Sequence, residues 1–227
     1  MIDVLYEDNH CLVVNKPAGI LSQGDATGDL SVVDWAADDL KRRYAKPGAV
    51  YIGLVHRLDR PTSGVLLLAR TSKAAARLAA QFADGSVEKR YWAIIEGGFD
   101  TDSGELIDGL RKDAARNVVD VVPAGTAGSL EARLEFRVLG RIGARTWLEV
   151  RPITGRSHQI RAQLAARGRP IVGDRKYGAK SSMRAVDGGA RIALHARELT
   201  FEHPTRRVPI TIVAPTPDDW PDDCRET

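Results

Sequence analysis

Between Val55 and Arg70 the chain reads VHRLDRPTSGVLLLAR, which sets the carboxylate of Asp59 between Arg57 and Arg60 just ahead of an apolar run. An ionised carboxylate that keeps its charge when water is excluded can act as a nucleophile or a base, and neighbouring cations favour that charge. The competing reading is a loop salt bridge, the ordinary fate of an aspartate flanked by arginines. A second concentration of chemistry lies from Arg141 to Lys180, where ten Lys or Arg face only Glu149 and Asp174, a local net charge of +8 in a chain whose total is +3. Arginine outnumbers lysine there, and its planar fork suits phosphate, although a solvated charged face is the commoner role of such a run. The final PDDWPDDCRET is acidic, so the expectation is one basic side and one side that avoids polyanions.

These groups need a frame, and hydrophobic periodicity supplies one. DVLY and CLVVN read as a β-hairpin followed by a Lys16-Pro17-Ala18-Gly19 turn. SVVDWAADDLKRRY reads as a helix with Ser31 as N-cap and Val33, Ala37, Leu40 and Tyr44 on one face. VLLLA after the Thr62-Ser63-Gly64 turn is a buried strand, and Ser72 is expected to cap a helix that Gly85 ends. EKRYWAIIEG is a strand, SLEARLEFRVLG alternates as a half-buried antiparallel strand, and RTWLEVRPI is its partner. SHQIRAQLAARG makes a short helix ending at Gly168, and RIALHARELTF and VPITIVA close the chain as strands. Neighbouring strands with few crossover helices argue for an α/β chain of the α+β kind, a single domain over residues 1–227 built on a largely antiparallel mixed sheet flanked by helices.

The bulk composition narrows the classes. Hydrophobic residues make up 43% of the 227, and no run nears the ~20 apolar residues that a membrane span requires. The N-terminal MIDVLYEDNH carries acids where a leader would carry basic residues. Cys11 and Cys224 are the only cysteines, too few for a disulfide scaffold and without a neighbouring ligand set in the sequence, so a reducing cytoplasm is expected. His56, His158 and His195 read as hydrogen-bonding scaffold, and no metal site is expected from their spacing.

The HRLDRPTSG stretch resembles the catalytic motif of the RluA-type pseudouridine synthases. Four more blocks agree in the order of that family: VVNKPAGIL (Val13 to Leu21), EKRYWAIIEG (Glu88 to Gly97), RPITGRSHQIRAQLAARGRPIVGDRKYG (Arg151 to Gly178) and LHARELTFEHP (Leu194 to Pro204). Five blocks in order span nearly the whole chain, which makes the resemblance far more specific than any single motif. It implies the pseudouridine synthase fold, a reaction on RNA and no cofactor. Pro61 and Trp92 are local variations. The first motif begins too close to residue 1 for a compact module of ~50 residues to precede it, so no N-terminal RNA-binding accessory domain is expected.

The reaction so implied breaks the bond between uracil N1 and the ribose, turns the base and rejoins the sugar through C5. It needs an ionised carboxylate, a cation that keeps it charged, and a flat surface for the freed base. The resemblance makes Asp59 the carboxylate, Arg161 its partner and Tyr91 the ring that stacks on the uracil and a candidate for removing the C5 proton. From the residues alone, Arg161 also fits a solvent-facing helix arginine between the core anchors Ile160 and Leu164, and Tyr91 also fits a core tyrosine. Arg57 resembles the family position that enters the space left by a flipped nucleotide, with a phosphate contact or a structural pair as equal alternatives. Arg156, Arg141, Arg145 and Arg169 are the expected further RNA contacts. Ribosomal or transfer RNA is the expected partner of a cytoplasmic monomer. A catalytically silent RNA-binding relative and a nucleosidase that cuts the same bond are the rival readings.

Overall fold

The computed structural model describes residues 2–183 and 191–224. In chain order its elements are β1 (Asp3–Glu7), β2 (Cys11–Lys16), α1 (Val32–Arg43), β3 (Gly53–Leu54), β4 (Ser63–Ala69), α2 (Ser72–Asp84), β5 (Glu88–Glu96), β6 (Ser103–Asp113), β7 (Val118–Val122), β8 (Leu130–Ile142), β9 (Arg145–Pro152), α3 (Gln159–Ala166), β10 (Leu194–Glu202) and β11 (Pro209–Val213). They form two compact units, one of residues up to Lys89 with Ala196–Pro215, the other of Arg90–His195 with the residues from Thr216 onward. No helix among the described residues is long and apolar enough to cross a membrane.

In the first unit the strands run in the order β1-β2-β4-β10, with β11 on β10 and β3 on β4. β4 reads SGVLLLA because all seven of its residues are buried, and a strand covered on both faces loses the polar alternation of an exposed one. Two of the turn residues expected ahead of it, Ser63 and Gly64, belong to the strand itself. Gly64 has φ +112°, and a Cβ there would lie 2.2 Å from the carbonyl oxygen of Ala196. Only glycine permits both that backbone and that approach.

Both helices of this unit follow their local signals with small offsets. Ser31 caps α1 by accepting from the amide of Asp34, and Lys41, Arg42 and Arg43 sit in its last turn, where cations suit the helix dipole. Its buried face is Val32, Ala36, Asp39 and Leu40, one residue round from the expected face, and Tyr44 is exposed. Asp39 is admitted because Arg42 and Arg43 bind its two oxygens at 2.8 and 2.6 Å. The cap of α2 is Thr71 rather than Ser72, since the Thr71 side chain accepts from the amide of Ala74; Gly85 ends the helix at φ +80°. Ala74 and Leu78 then pack on Cys11, Val13, Leu67 and Phe201.

The second unit orders its strands β5-β9-β8-β6-β7, and every described pair is antiparallel. β8 alternates as expected, with Ala132, Leu134 and Phe136 buried between exposed Glu131, Arg133 and Arg137. β6 and β7 are additions to the sequence reading: SGELIDGLRKD carries two glycines and five charges, which hide a strand whose ladder to β8 runs from Ser103 to Leu110. α3 inserts Ile160 and Leu164 into a core with Ile94, Leu134, Leu148 and Val150. The last three residues of the acidic C-terminal stretch lie outside the described residues.

Candidate active site

Asp59 sits half-buried on the loop between β3 and β4. Neighbouring Leu58 is buried and held at both ends of its peptide unit: its amide donates to Ser22 Oγ at 3.1 Å, and Ser22 Oγ donates to its carbonyl at 2.7 Å. The carbonyl of Arg60 accepts from the amide of Gly19 at 2.8 Å, and the Arg60 side chain donates back to the Gly19 carbonyl at 2.9 Å. Asp59 itself closes a turn, its carbonyl accepting from Thr62 at 3.0 Å. The stretch after β2 thus cradles the loop that carries the carboxylate.

Lys16 completes the cradle. Its side chain is fully buried, and Nζ donates to three carbonyls, those of Ile20 at 2.7 Å, Pro17 at 3.0 Å and Arg60 at 3.2 Å. Burial pushes its pKa down to about 7, while the negative charge of Asp59 pulls it up. Three acceptors match the three protons of an ammonium. Lys16 is therefore the buried cation whose charge couples to Asp59 within this unit.

The two arginines that flank Asp59 do not fill that place. Arg60 forms its ion pair with Asp29 at 2.8 Å. Arg57 is exposed and makes no hydrogen bond or ion pair among the described residues. The expectation that these neighbours keep Asp59 ionised therefore has no ion pair to Asp59 from Arg57 or Arg60 behind it among the described residues. His56 behaves as scaffold: it stacks on Phe82 with ring centroids 4.5 Å apart, and Nε2 accepts from the amide of Leu67 at 2.9 Å. Desolvation takes its pKa down to about 3, so it is neutral.

In the second unit Tyr91 lies half-buried on β5, opposite Val150 of β9. The next residue, Trp92, points into the core and meets Trp147 edge-on at 4.8 Å, an arrangement favourable to aromatic rings. Arg161 is 4% exposed, which excludes the solvent-facing helix arginine. Asp174 engages it through both oxygens, from Nε at 2.7 Å and from Nη2 at 2.9 Å.

The basic run from Arg141 to Lys180 is far more neutralised than its sequence suggests. Asp102 pairs with Arg141, Asp108 with Arg167 and Glu135 with Arg151. Arg156 donates to the carbonyl of Glu131 and Arg169 to that of Gly98. Of the five arginines expected at RNA, the side chains of Arg57 and Arg145 make no hydrogen bond or ion pair among the described residues, whereas those of Arg141, Arg156 and Arg169 are engaged within their own unit.

Cys11 does have a ligand-like neighbourhood that sequence spacing hides, since its sulfur, Asp8 and His203 approach within 4.8 Å. The hydrogen bonds assign these groups elsewhere. His203 Nδ1 accepts from the amides of Thr205 and Arg206, so Nε2 carries the proton that it gives to Asp8 at 2.7 Å. Asp8 also accepts from Tyr6 and from the amides of His10 and Cys11, which holds its carboxyl well below the usual range. Burial and Asp8 push the Cys11 thiol up to about 12. With no lone pair spared on His203 and no thiolate, the cluster works as a latch between the β1–β2 turn and the β10–β11 turn.

Lys16→Met should cost stability, because three carbonyls lose their donor and a buried orphan costs about 1–3 kcal/mol. It should also change the pH dependence. The folded pKa is about 7, while the unfolded lysine keeps its proton to about pH 10.4. Between these values the unfolded chain binds more protons, so stability rises with pH; below about pH 7 the full cost of burying the charge is present. Urea unfolding of both proteins from pH 6 to 10 should show the wild-type gain above pH 7 and its absence in the variant. Parallel curves would give Lys16 an ordinary pKa.

With this geometry in place, comparison with known proteins identifies the family. Residues 10–166 match the family described as RNA pseudouridylate synthase. The chain is 37% identical over 230 residues to ribosomal large subunit pseudouridine synthase D of Xylella fastidiosa, covering 96% of this chain and 67% of that protein. It is 34% identical over 214 residues to ribosomal large subunit pseudouridine synthase C of Vibrio cholerae, covering 93% of this chain and 65% of that protein. The chain thus spans about two thirds of the length of these relatives. Human RNA pseudouridylate synthase domain containing 4 superposes with a TM-score of 0.76 at 25% identity, covering 95% of this chain and 88% of that one. The fold is the pseudouridine synthase fold, and the chain belongs to the RNA pseudouridylate synthase family, whose members are isomerases that act on RNA.

Proposed function

We propose that this chain converts specific uridines of structured RNA to pseudouridine, with Asp59 as the essential carboxylate and with no cofactor. The observation that carries the reading is the cradle around the Asp59 loop, where Ser22, Gly19 and a buried Lys16 fix the backbone on both sides of one half-buried carboxylate. A surface salt bridge needs no such support. The relatives act by name on the large ribosomal subunit, so ribosomal RNA is the first substrate class for this chain and transfer RNA the second. A cytoplasmic monomer suits either substrate.

The isomerisation is redox-neutral. The N1–C1′ bond breaks, a C5–C1′ bond forms, C5 loses its proton and N1 ends with one. Attack at C6 of the base, attack at the sugar carbon and removal of a sugar proton all draw on the same ionised carboxylate, the role given to Asp59. Arg161 serves as the counter-cation of the reaction, and Tyr91 supplies the stacking ring and the hydroxyl for the C5 proton. A stacked uridine must first leave its helix, at a cost of a few kcal/mol that phosphate contacts offset. Arg57, exposed and without a protein partner among the described residues, suits the entry into the vacated stack. Arg145, Arg141, Arg156 and Arg169 are assigned to phosphates.

One assay tests the catalytic assignments: tritium release from RNA carrying C5-labelled uridine, run beside an affinity titration. Asp59→Asn should release nothing while binding within about twofold of wild type, since the amide keeps the shape and loses the nucleophile. Turnover near wild type would remove Asp59 from the reaction. Tyr91→Phe should bind normally and lose tritium release. Tyr91→Ala should weaken binding as well, because base stacking is worth about 1–3 kcal/mol. Wild-type release by the phenylalanine variant would leave Tyr91 as a platform only. Binding without any release by the wild-type protein would favour the silent RNA-binding relative, and free uracil would favour a nucleosidase.

Salt dependence separates the arginines. The log-log slope of affinity against salt should flatten by about one unit for each phosphate that a variant no longer neutralises. Arg145→Ala should show this in full, and Arg141→Ala less, because Asp102 already shares the Arg141 charge. Equal slopes in both variants and wild type would move the RNA face elsewhere.

A further inference from the structure

The GDRKYG stretch has no role in the reaction as described so far, yet its side chains close on Arg161. Asp174, 2% exposed, takes the Nε–Nη2 side of the guanidinium through two hydrogen bonds of 2.7 and 2.9 Å. Three residues on, at the end of the 3-10 turn Arg175–Tyr177, the ring of Tyr177 lies under the same guanidinium, 5.1 Å from its carbon to the ring centroid. The ring is itself pinned. Its hydroxyl lies 2.8 Å from His158 Nδ1, immediately ahead of α3, and accepts from the amide of Val119 on β7 at 2.9 Å.

The turn that presents these groups is tightly built. The amides of Tyr177 and Ala179 both donate to the carbonyl of Asp174, and the amide of Asp174 donates to that of Ile171. Gly173 at φ +88° leaves no room for a Cβ, which would stand 2.6 Å from the carbonyl oxygen of Arg191.

A guanidinium is planar, with five N–H bonds in fixed directions. A two-point carboxylate fork sets its rotation within the plane, and an aromatic face sets the plane itself. Together they leave Arg161 one orientation, and the three N–H bonds not used by Asp174 point where the clamp directs them. Stability gives a weak reason for such an arrangement, since a buried ion pair of this kind is often no better than apolar residues of the same volume. We infer that Asp174, Tyr177 and His158 are positioning residues for pseudouridine formation, which hold Arg161 in the orientation the reaction needs. The inference rests on the assignment of Arg161 to that reaction.

The test is single-turnover tritium release from a transcript of bacterial large-subunit ribosomal RNA carrying C5-labelled uridine, with RNA affinity measured on the same preparations. Asp174→Asn keeps a neutral acceptor and loses the charged fork; Tyr177→Leu removes the ring; Tyr177→Phe keeps the ring and loses its anchor. The rate constant should fall about a hundredfold in Asp174→Asn, about tenfold in Tyr177→Leu and about threefold in Tyr177→Phe, with full reaction amplitude and affinity within about twofold. A purely structural role would lower the amplitude, through loss of folded protein, and leave the rate constant of the surviving fraction at the wild-type value. That result, or wild-type rates in both Tyr177 variants, would overturn the clamp. If Asp174→Asn does not fold, the half-buried Tyr177 decides the matter through its two variants. Absence of release by the wild-type protein is a different failure, which removes the proposed reaction rather than the clamp alone.

Discussion

Three carbonyl oxygens converge on the buried ammonium of Lys16, and two separate loops have their shape through it. Pro17 and Ile20 belong to the turn after β2, Arg60 to the loop that carries Asp59. Backbone carbonyls of irregular segments ordinarily find water, so a loop held this tightly inside a protein must bring its donors with it. One lysine supplies three of them from a single atom. The arrangement is costly, because the charge is taken out of water, and the depressed pKa is the measure of that cost. It is also why the two sequence blocks VVNKPAGIL and HRLDRPTSG behave as one structural object. Ser22 and Gly19 add directional bonds, and the lysine couples electrostatically to Asp59.

Many of the charges among the described residues are paired within their own unit. Tyr6, Asp8, His203 and Arg206 form a network that joins turns far apart in sequence, and Glu7 binds Arg43 and Arg70. In the second unit, acids of β6, of β8 and of the segment before β6 meet arginines of β8, of β9 and of the C-cap of α3. A linear count of charge over forty residues therefore overstates the field that a polyanion would meet. The arginines without such partners carry more of the expected attraction than the run as a whole, since a charge already paired gains less from a phosphate.

The regular part of the fold was legible because each signal is local. Alternation in β8, an unbroken apolar β4, the serine cap of α1 and the glycine end of α2 all depend on a few neighbouring residues. Where the structure departs from those signals, the deciding partner lies far off in sequence. The face of α1 turns by one residue because Asp39 is rendered burial-competent by two arginines, and β6 is hidden because its ladder to β8, not its own glycine-rich composition, makes it a strand. The site follows the same rule. Asp59 and Tyr91 stand out through their motifs, but adjacency suggests Arg57 and Arg60 as the cations around Asp59, and sequence adjacency in a loop does not fix direction. Lysine is so rarely buried that Lys16 reads as part of a turn. Arg161 is legible from its motif, whereas Asp174 lies thirteen residues away with nothing local to connect them.

Lys16 and Arg161, both buried, solve different problems, and their chemistry shows it. Lys16 is a compact charge on a flexible stem, and three carbonyls from different directions can share it without demanding a plane. It fixes backbone. Arg161 is a rigid plane with directional donors, and its neighbours are a carboxylate that matches one side and a ring that matches one face. It fixes a direction in space. Exchanging the two residue types would keep the formal charge at each place and defeat both arrangements: a guanidinium could not satisfy three convergent carbonyls at the volume of an ammonium, and an ammonium on Asp174 would be free to rotate. Retaining positive charge is thus insufficient at either position. What the fold preserves is the geometry in which each charge is delivered, isotropic beneath the Asp59 loop and planar at the start of α3.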